Sequence, residues 1–385
     1  MATFVIKASK FLLPGAVQRG GYLTIQDGVF GCWTAEAPDG MPVVDCSGKW
    51  VAPGFVDTHI HGFHNHATDD CDADGINASS EALLRHGTTS WLPTTFTDSA
   101  ERIEAACASI AAADESRGAG FVGARIQGIY LEGPFFTAAH VGAQNPAYLS
   151  DPNYELFSCW QEAAGGRIRK TALAPERDGS EAYCARVRAE GAVACIGHTD
   201  ATFDQVLAAV NAGATCFVHT YNGMRGLHHR EPGVVGAAMA TRETYAELIC
   251  DGYHVNPGAI RAMVNAKGWD HVALITDCLG PGGMPEGNYM SGGLPVVMRG
   301  GACYLVNGGN LAGSTATLAK VVKNVYDWDV VSAEQALRMA TEVPARSAGI
   351  DGACGLILPG RPADFNVLNA DLTLEATYLG GALVE

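Results

Sequence analysis

Eight apolar runs of strand length, separated by segments that carry helix-start signals, constrain this chain more than any other feature. They cover residues 55–59, 88–92, 126–132, 171–176, 192–198, 216–222, 246–251 and 272–277. Between them, Asp98-Ser99-Ala100-Glu101 and Thr202-Phe203-Asp204-Gln205 read as capping boxes, and Asn256-Pro257 reads as an N-cap followed by proline at the first helical position. Strands alternating with helices imply a parallel sheet, and eight such units imply a (β/α)8 barrel of TIM type. Periodicity alone leaves buried helix pieces as the alternative for runs this short.

The two ends of the chain have a different texture. Phe4-Val5-Ile6, Gly21-Tyr22-Leu23-Thr24-Ile25, Val29-Phe30-Gly31-Cys32-Trp33 and Val43-Val44-Asp45-Cys46 are rich in β-branched and aromatic residues, with Asp27-Gly28 as a hairpin turn. Gly280-Pro281-Gly282-Gly283-Met284-Pro285 reads as loop, and a later helix is capped by Ser332 with Gln335. Gly355-Leu356-Ile357 and Ala363-Asp364-Phe365-Asn366-Val367-Leu368 return to strand patterning. The expected α/β architecture is a catalytic barrel over 53–350 and a small β-sandwich domain built from both termini, 1–52 with 351–385.

Seven of the eight runs end in, or just before, a polar residue suited to a site. His59 and His61 follow the first run and share one strand face, so two imidazoles can aim at one point. Glu132 ends the third run, Glu176 the fourth and His198 the fifth. His219 and Asn222 fall on the sixth, Asp251 and His254 at the seventh, and Asp277 ends the eighth. In a barrel these C-terminal ends converge on one face. Each residue alone is more often a satisfied structural group. Together, four imidazoles and two carboxylates suit a divalent transition metal, and a metal-assisted hydrolase is the reading they favour.

Composition narrows the partners. A net charge of −16 argues against nucleic acid or an anionic membrane, and an anionic substrate would need a local basic site. The twelve cysteines are dispersed without a Cys-X-X-Cys pair, which implies free thiols. Met1-Ala2-Thr3-Phe4-Val5-Ile6-Lys7 lacks the pattern of a signal peptide, and no apolar stretch is long enough to span a bilayer. The expected setting is a reducing cytoplasm.

The motifs resemble those of the N-acetylglucosamine-6-phosphate deacetylase family of the amidohydrolase superfamily, over nearly the whole chain. They are Pro53-Gly54-Phe55-Val56-Asp57-Thr58-His59-Ile60-His61-Gly62, His86-Gly87-Thr88-Thr89, Leu131-Glu132-Gly133-Pro134-Phe135, Ala174-Pro175-Glu176 and Gly197-His198-Thr199. Further on come His219-Thr220-Tyr221-Asn222-Gly223-Met224, His229-Arg230-Glu231-Pro232-Gly233, Asp251-Gly252-Tyr253-His254, Thr276-Asp277 and Leu311-Ala312-Gly313-Ser314. The resemblance implies Glu132, His198 and His219 as core metal ligands, His59 and His61 as ligands of a second ion, and Asp277 as the catalytic aspartate. It implies phosphate contacts from Asn222, Gly223 and Arg230, with Arg230 reaching a partner subunit's site in a homodimer. Sugar contacts would come from His254, Ala143, Leu311, Ala312 and Gly313. The implied cofactor is one or two divalent ions, zinc first, with iron, manganese or cobalt as alternatives. The implied reaction is deacetylation of an amino-sugar phosphate, in amino-sugar catabolism.

Two departures from the family pattern stand out. Gly223 replaces a common alanine, which is expected to be harmless if only its N–H is used. Gln144 replaces a common histidine; its amide can still donate a hydrogen bond but cannot titrate, which leaves its hold on the acetyl group open. Alternatives are a deacetylase for another N-acetylhexosamine phosphate, such as the galactosamine epimer, and a cyclic-amide hydrolase of the dihydroorotase type. The latter bridges its metals with a carboxylated lysine on the fourth strand, whereas here that run ends Leu173-Ala174-Pro175-Glu176. A metal-free scaffold that kept the fold is the reading from a different class.

Overall fold

Turn chemistry organises the two ends of the chain. Asp27 and Gly28 both take left-handed φ, +52° and +82°, and close strands Tyr22–Gln26 and Val29–Thr34 into a hairpin, the turn geometry that matches strand twist. The structure is a computed structural model that describes residues 3–385; Met1 and Ala2, the start of the expected β region, lie outside the described residues. Phe4–Leu13, Ala16–Arg19 and Val43–Pro53 join the hairpin, and Phe365–Leu368, Leu374–Leu379 and Ala382–Leu383 complete one eight-stranded sheet. The two chain ends meet where Phe365–Leu368 runs antiparallel to Val43–Pro53, with Phe365 opposite Pro53. Ile6, Phe11, Leu23, Phe30, Val51 and Phe365 pack into a core of their own. Residues 355–357, expected as strand, are bend and coil. Gly355 holds a left-handed φ of +79° against the Thr341 carbonyl, which a pleated strand cannot continue.

The remainder is a parallel barrel. Its strands are β1 (Phe55–Ile60), β2 (Thr88–Thr95), β3 (Ile129–Phe135), β4 (Ile168–Leu173), β5 (Val193–Ile196), β6 (Cys216–Phe217), β7 (Tyr245–Ile249) and β8 (Val272–Ile275). Each pairs in parallel with the next. The seam between β8 and β1 is closed just past the strand ends, by Asp277 N–H to the His59 carbonyl and His61 N–H to the Cys278 carbonyl, both 2.8 Å. Buried Asp57 reinforces it, accepting from Thr276 Oγ1 at 2.6 Å. Closure therefore sets His59, His61 and Asp277 side by side.

Helix starts follow the sequence signals with one shift. Thr202 with Gln205 and Ser332 with Gln335 form capping boxes, and Asn256 caps a helix with Pro257 at its first turn. On Ala100–Glu115 the cap is Ser99, which accepts from Arg102 N–H, so no box forms with Glu101; Asp98 is occupied by the Ser99 N–H instead.

The expected loop over 280–285 is turn, bend and coil, and it is followed by a three-stranded antiparallel sheet not expected from the sequence, Gly287–Ser291, Leu294–Arg299 and Ala302–Leu305. Its Val296, Met298 and Cys303 pack on Phe96, Leu279 and Ala312, which holds the residues 311–313 at the barrel mouth. Among the described residues, no helix is long and apolar enough to cross a membrane.

Candidate active site

Strands β5, β6 and β8 are shorter than their apolar runs, and the functional side chains leave from the turns just beyond them. His198, His219 and Asp277 take left-handed φ of +46°, +25° and +49°. Non-glycine residues rarely adopt this region, and holding one there costs on the order of 1–3 kcal/mol. These turns carry the three side chains to the barrel mouth.

Glu132, His198 and His219 form one buried group. Glu132 Oε1 lies 3.3 Å from His198 Nε2 and 3.0 Å from His219 Nε2, and the two Nε2 atoms are 3.0 Å apart. His59, His61 and Asp277 form a second. Asp277 Oδ1 is 3.2 Å from His61 Nε2 and 3.5 Å from His59 Nε2. Glu132 faces both groups, with Oε2 3.1 Å from His61 Nε2. Burial alone would raise the Glu132 and Asp277 carboxyls, but the imidazoles, His59 first, hold both below their ordinary values.

The ring tautomers show what this cluster is built to hold. His198 Nδ1 is 2.8 Å from the His140 carbonyl and His61 Nδ1 is 3.1 Å from the Thr94 carbonyl. A carbonyl can only accept, so each Nδ1 carries the hydrogen and each Nε2 faces inward, as a lone pair whenever the ring is neutral. His59 Nδ1 is held at 3.0 Å by Glu247 Oε2, and its buried Nε2 has no hydrogen-bond partner. Lone pairs crowded against carboxylate oxygens leave one another unsatisfied unless a cation sits among them. The donor set fits a divalent metal ion.

Gln144 joins this arrangement. Its Oε1 accepts from Thr97 N–H at 2.7 Å and its Nε2 donates to Glu132 Oε2 at 2.6 Å, which fixes the amide orientation because each partner can play only one role. His254 Nδ1 is 2.7 Å from Asp251 Oδ2, so its other nitrogen faces away from that carboxylate. Asn222 donates to the His219 carbonyl at 3.1 Å. Gly223 is tighter than expected: at φ +56°, an added Cβ would stand 3.0 Å from His198 Nδ1, so alanine here would press on a ligand-type ring.

A cavity of about 160 Å³ gathers His61, Glu132, His198, His219 and Asp277 with Ala143, Gln144, Asn222, Gly223, His254, Leu311, Ala312 and Gly313. Larger hollows of about 650 and 760 Å³ elsewhere on the surface carry no such convergence of imidazoles and carboxylates. Of the residues singled out from sequence, His59 lies behind the lining and Arg230 lies outside it. Arg230 is exposed, with Nη1 2.9 Å from His229 Nε2. Its neighbour Glu231 is occupied by the N–H groups of Phe203 and Gly233, at 2.8 and 3.2 Å. Among the described residues no carboxylate pairs with Arg230. Glu176 is taken up by Thr199 and by the Asp200 N–H and does not line the cavity.

Sequence reasoning missed Phe96, which lines the cavity and stacks on His61 with centroids 3.8 Å apart, and Gly142, which lines it too. It also missed Lys170 and Glu247, charged residues inside β4 and β7. The fourth strand does carry a lysine, but Lys170 is paired with Glu247. A charge inside a run expected to be buried was the signal available for Glu247, whereas Lys170 lies one residue before the expected fourth run.

The Amidohydrolase family model matches residues 50–384. The chain is 40% identical over 334 residues to N-acetylglucosamine-6-phosphate deacetylase of Vibrio furnissii, covering 87% of this chain and 82% of that protein. It is 35% identical to N-acetylgalactosamine-6-phosphate deacetylase of Escherichia coli O157:H7, with 99% of each chain covered. Among solved structures, the N-acetyl-D-glucosamine-6-phosphate deacetylase of Mycobacterium smegmatis, in complex with N-acetyl-D-glucosamine 6-phosphate, superposes with a TM-score of 0.93 at 32% identity, with 100% of both chains covered.

Proposed function

The chain belongs to the amidohydrolase family, and from that premise we propose that it deacetylates N-acetyl-D-glucosamine 6-phosphate to D-glucosamine 6-phosphate and acetate, a step of amino-sugar catabolism. The observation that carries this reading is a pair of adjoining buried ligand groups, one containing Glu132 and the other Asp277, at a cavity of about 160 Å³. That is smaller than the roughly 300–1,000 Å³ of sites that enclose a drug-sized ligand. It suits an acetamido group, with the rest of the sugar phosphate at the mouth. The named relatives of similar length support the same substrate class.

Glu132, His198 and His219 would hold one ion, and His59, His61 and Asp277 would flank a second. When bound, the ion supplies Lewis-acid chemistry, polarising the acetyl carbonyl and acidifying water. Zinc suits the imidazole-rich set, with iron, manganese and cobalt as alternatives. Asp277 accepts the proton of the attacking water and returns it to the amine nitrogen as the C–N bond breaks. His254, oriented by Asp251, offers its second ring nitrogen to the substrate. Gln144 keeps one N–H on Glu132 and has a second to offer the acetyl oxygen.

The phosphate needs a cation on so acidic a chain, and Arg230 offers two parallel donors. Its position outside its own cavity supports action across a homodimer, with Asn222 and the Gly223 N–H on the receiving side. The division into a terminal β domain, 1–52 with 351–385, and a barrel over 53–350 belongs to the same reading. So does a cytoplasmic setting, which twelve free cysteines suit.

The galactosamine epimer is the second reading, favoured by the relative matched over 99% of both chains. The test is acetate release from both 6-phosphates by the metal-loaded protein, with and without chelator. Release from the glucosamine compound that stops on chelation is expected. Release from the galactosamine epimer alone would move the substrate, and chelator-insensitive release would remove the metal from the reaction.

A further inference from the structure

Behind the second imidazole group lies a buried ion pair that the proposed chemistry does not use. Lys170, in the middle of β4, and Glu247, in β7, are both fully buried, and Lys170 Nζ bonds Glu247 Oε1. The ammonium also stands 4.7 Å from the Tyr130 ring centroid and 3.6 Å from Cys216 Sγ. Burial opposes both charges, yet Lys170 holds the Glu247 carboxyl down at about 2. Glu247 Oε2 is 3.0 Å from His59 Nδ1 and 3.4 Å from the His219 N–H.

A pair this deep is a poor way to gain stability, because apolar replacements of similar volume are often neutral or better. Its geometry is more informative. One carboxylate oxygen is pinned by Lys170, which leaves the other as a fixed acceptor for His59 Nδ1–H. His61 and His198 obtain the same service from main-chain carbonyls. Among the four converging imidazoles, His59 alone has its Nδ1 held by a side chain, while His219 Nδ1 has no partner.

We infer that the Lys170–Glu247 pair is a positioning device that fixes the ring and tautomer of His59, and so sets the affinity of the second metal position far more than that of the first, whose ligand His219 it meets only through a main-chain N–H at 3.4 Å. This rests on the two-ion reading above. Partners that orient ligating imidazoles typically account for about 10–100-fold in metal affinity.

Two double variants separate positioning from charge and bulk. Lys170→Met/Glu247→Gln removes the ion pair but keeps an acceptor for His59, and Lys170→Met/Glu247→Leu removes both. Zinc binding by each and by the wild type is measured by equilibrium dialysis across a range of free ion concentrations. The wild type is expected to take two ions. The glutamine variant should follow it within a few-fold. The leucine variant should bind the second ion about 10–100-fold more weakly while keeping the first, which also reports that it is folded. If the leucine variant loses the first ion as well while its circular dichroism shows it folded, the pair does not act mainly on the second position and the inference fails; if it is unfolded, Lys170→Met/Glu247→Ala is measured in its place. Equal second-ion binding by all three proteins, or equal loss in both variants, would overturn the inference. A wild type that stops at one ion would instead contradict the two-ion reading itself, and the inference with it.

Discussion

At the floor of the cavity, three of four imidazoles are tethered through Nδ1 to acceptors that leave Nε2 facing inward, and both carboxylates are buried. At the rim the pattern inverts. Arg230 is exposed, its Nη1 is 2.9 Å from a neighbouring imidazole, and Glu231 beside it is engaged elsewhere. The floor is preorganised within one chain, as a site must be if donors are to act without rearranging. At the rim the Arg230 guanidinium is not fixed by any carboxylate among the described residues, and on the reading proposed above it would be completed by another subunit.

The largest effect should come from the floor. Asp277→Asn keeps the shape but removes the proton acceptor, and loss of general acid–base help costs about 10²–10⁴-fold. Turnover should fall by that factor with the first ion, the one assigned to Glu132, His198 and His219, still bound. Near-normal turnover would break the floor's claim to the chemistry and move the base elsewhere, with His254 the next candidate.

The rim should respond more weakly and more selectively. A hydrogen bond to a charged group is worth roughly 1.5–3 kcal/mol, or about 10- to 150-fold at 1.4 kcal/mol per decade. Arg230→Ala should lower kcat/KM for the 6-phosphate by that factor and leave the slow rate on unphosphorylated N-acetylglucosamine nearly unchanged. Equal losses on both substrates would show that Arg230 does not read the phosphate.

Gln144 sits between the two regions and gives the smallest effect. Gln144→Leu removes the donor on Glu132 Oε2 and strands the Thr97 N–H. Metal affinity at the first position should fall by about 10-fold, the low end for a group that orients a ligand. An unchanged metal affinity with reduced turnover would make Gln144 a substrate contact only.

The same contrast explains what the sequence made legible. His59, Glu132, His198, His219 and Asp277 could be read because a barrel brings strand ends together, so position along the chain predicts position in space. Lys170 escaped because the fourth run was started one residue late, at Thr171. Glu247 escaped because it lay inside an apolar run, where only the partner across the barrel gives a charge meaning. The left-handed turns at His198, His219 and Asp277 could not be anticipated, since no glycine marks them. The three-stranded sheet after β8 left a usable signal: Gly292-Gly293 and Gly300-Gly301 each take left-handed φ and close its hairpins. The preceding Gly/Pro run hid it. Arg230 stood out as a candidate cation for phosphate, a role proposed above, but its place outside its own cavity depends on loop geometry that no periodicity encodes.

The claim that the floor is complete in one chain and the rim is not can be tested by mixing Arg230→Ala chains with Asp277→Asn chains. If Arg230 serves the partner's site, each mixed dimer holds one site with neither defect, and deacetylation of the 6-phosphate should rise well above that of either parent. If subunit exchange is verified and no activity returns, Arg230 acts within its own chain or does not touch the phosphate, and the contrast between floor and rim fails.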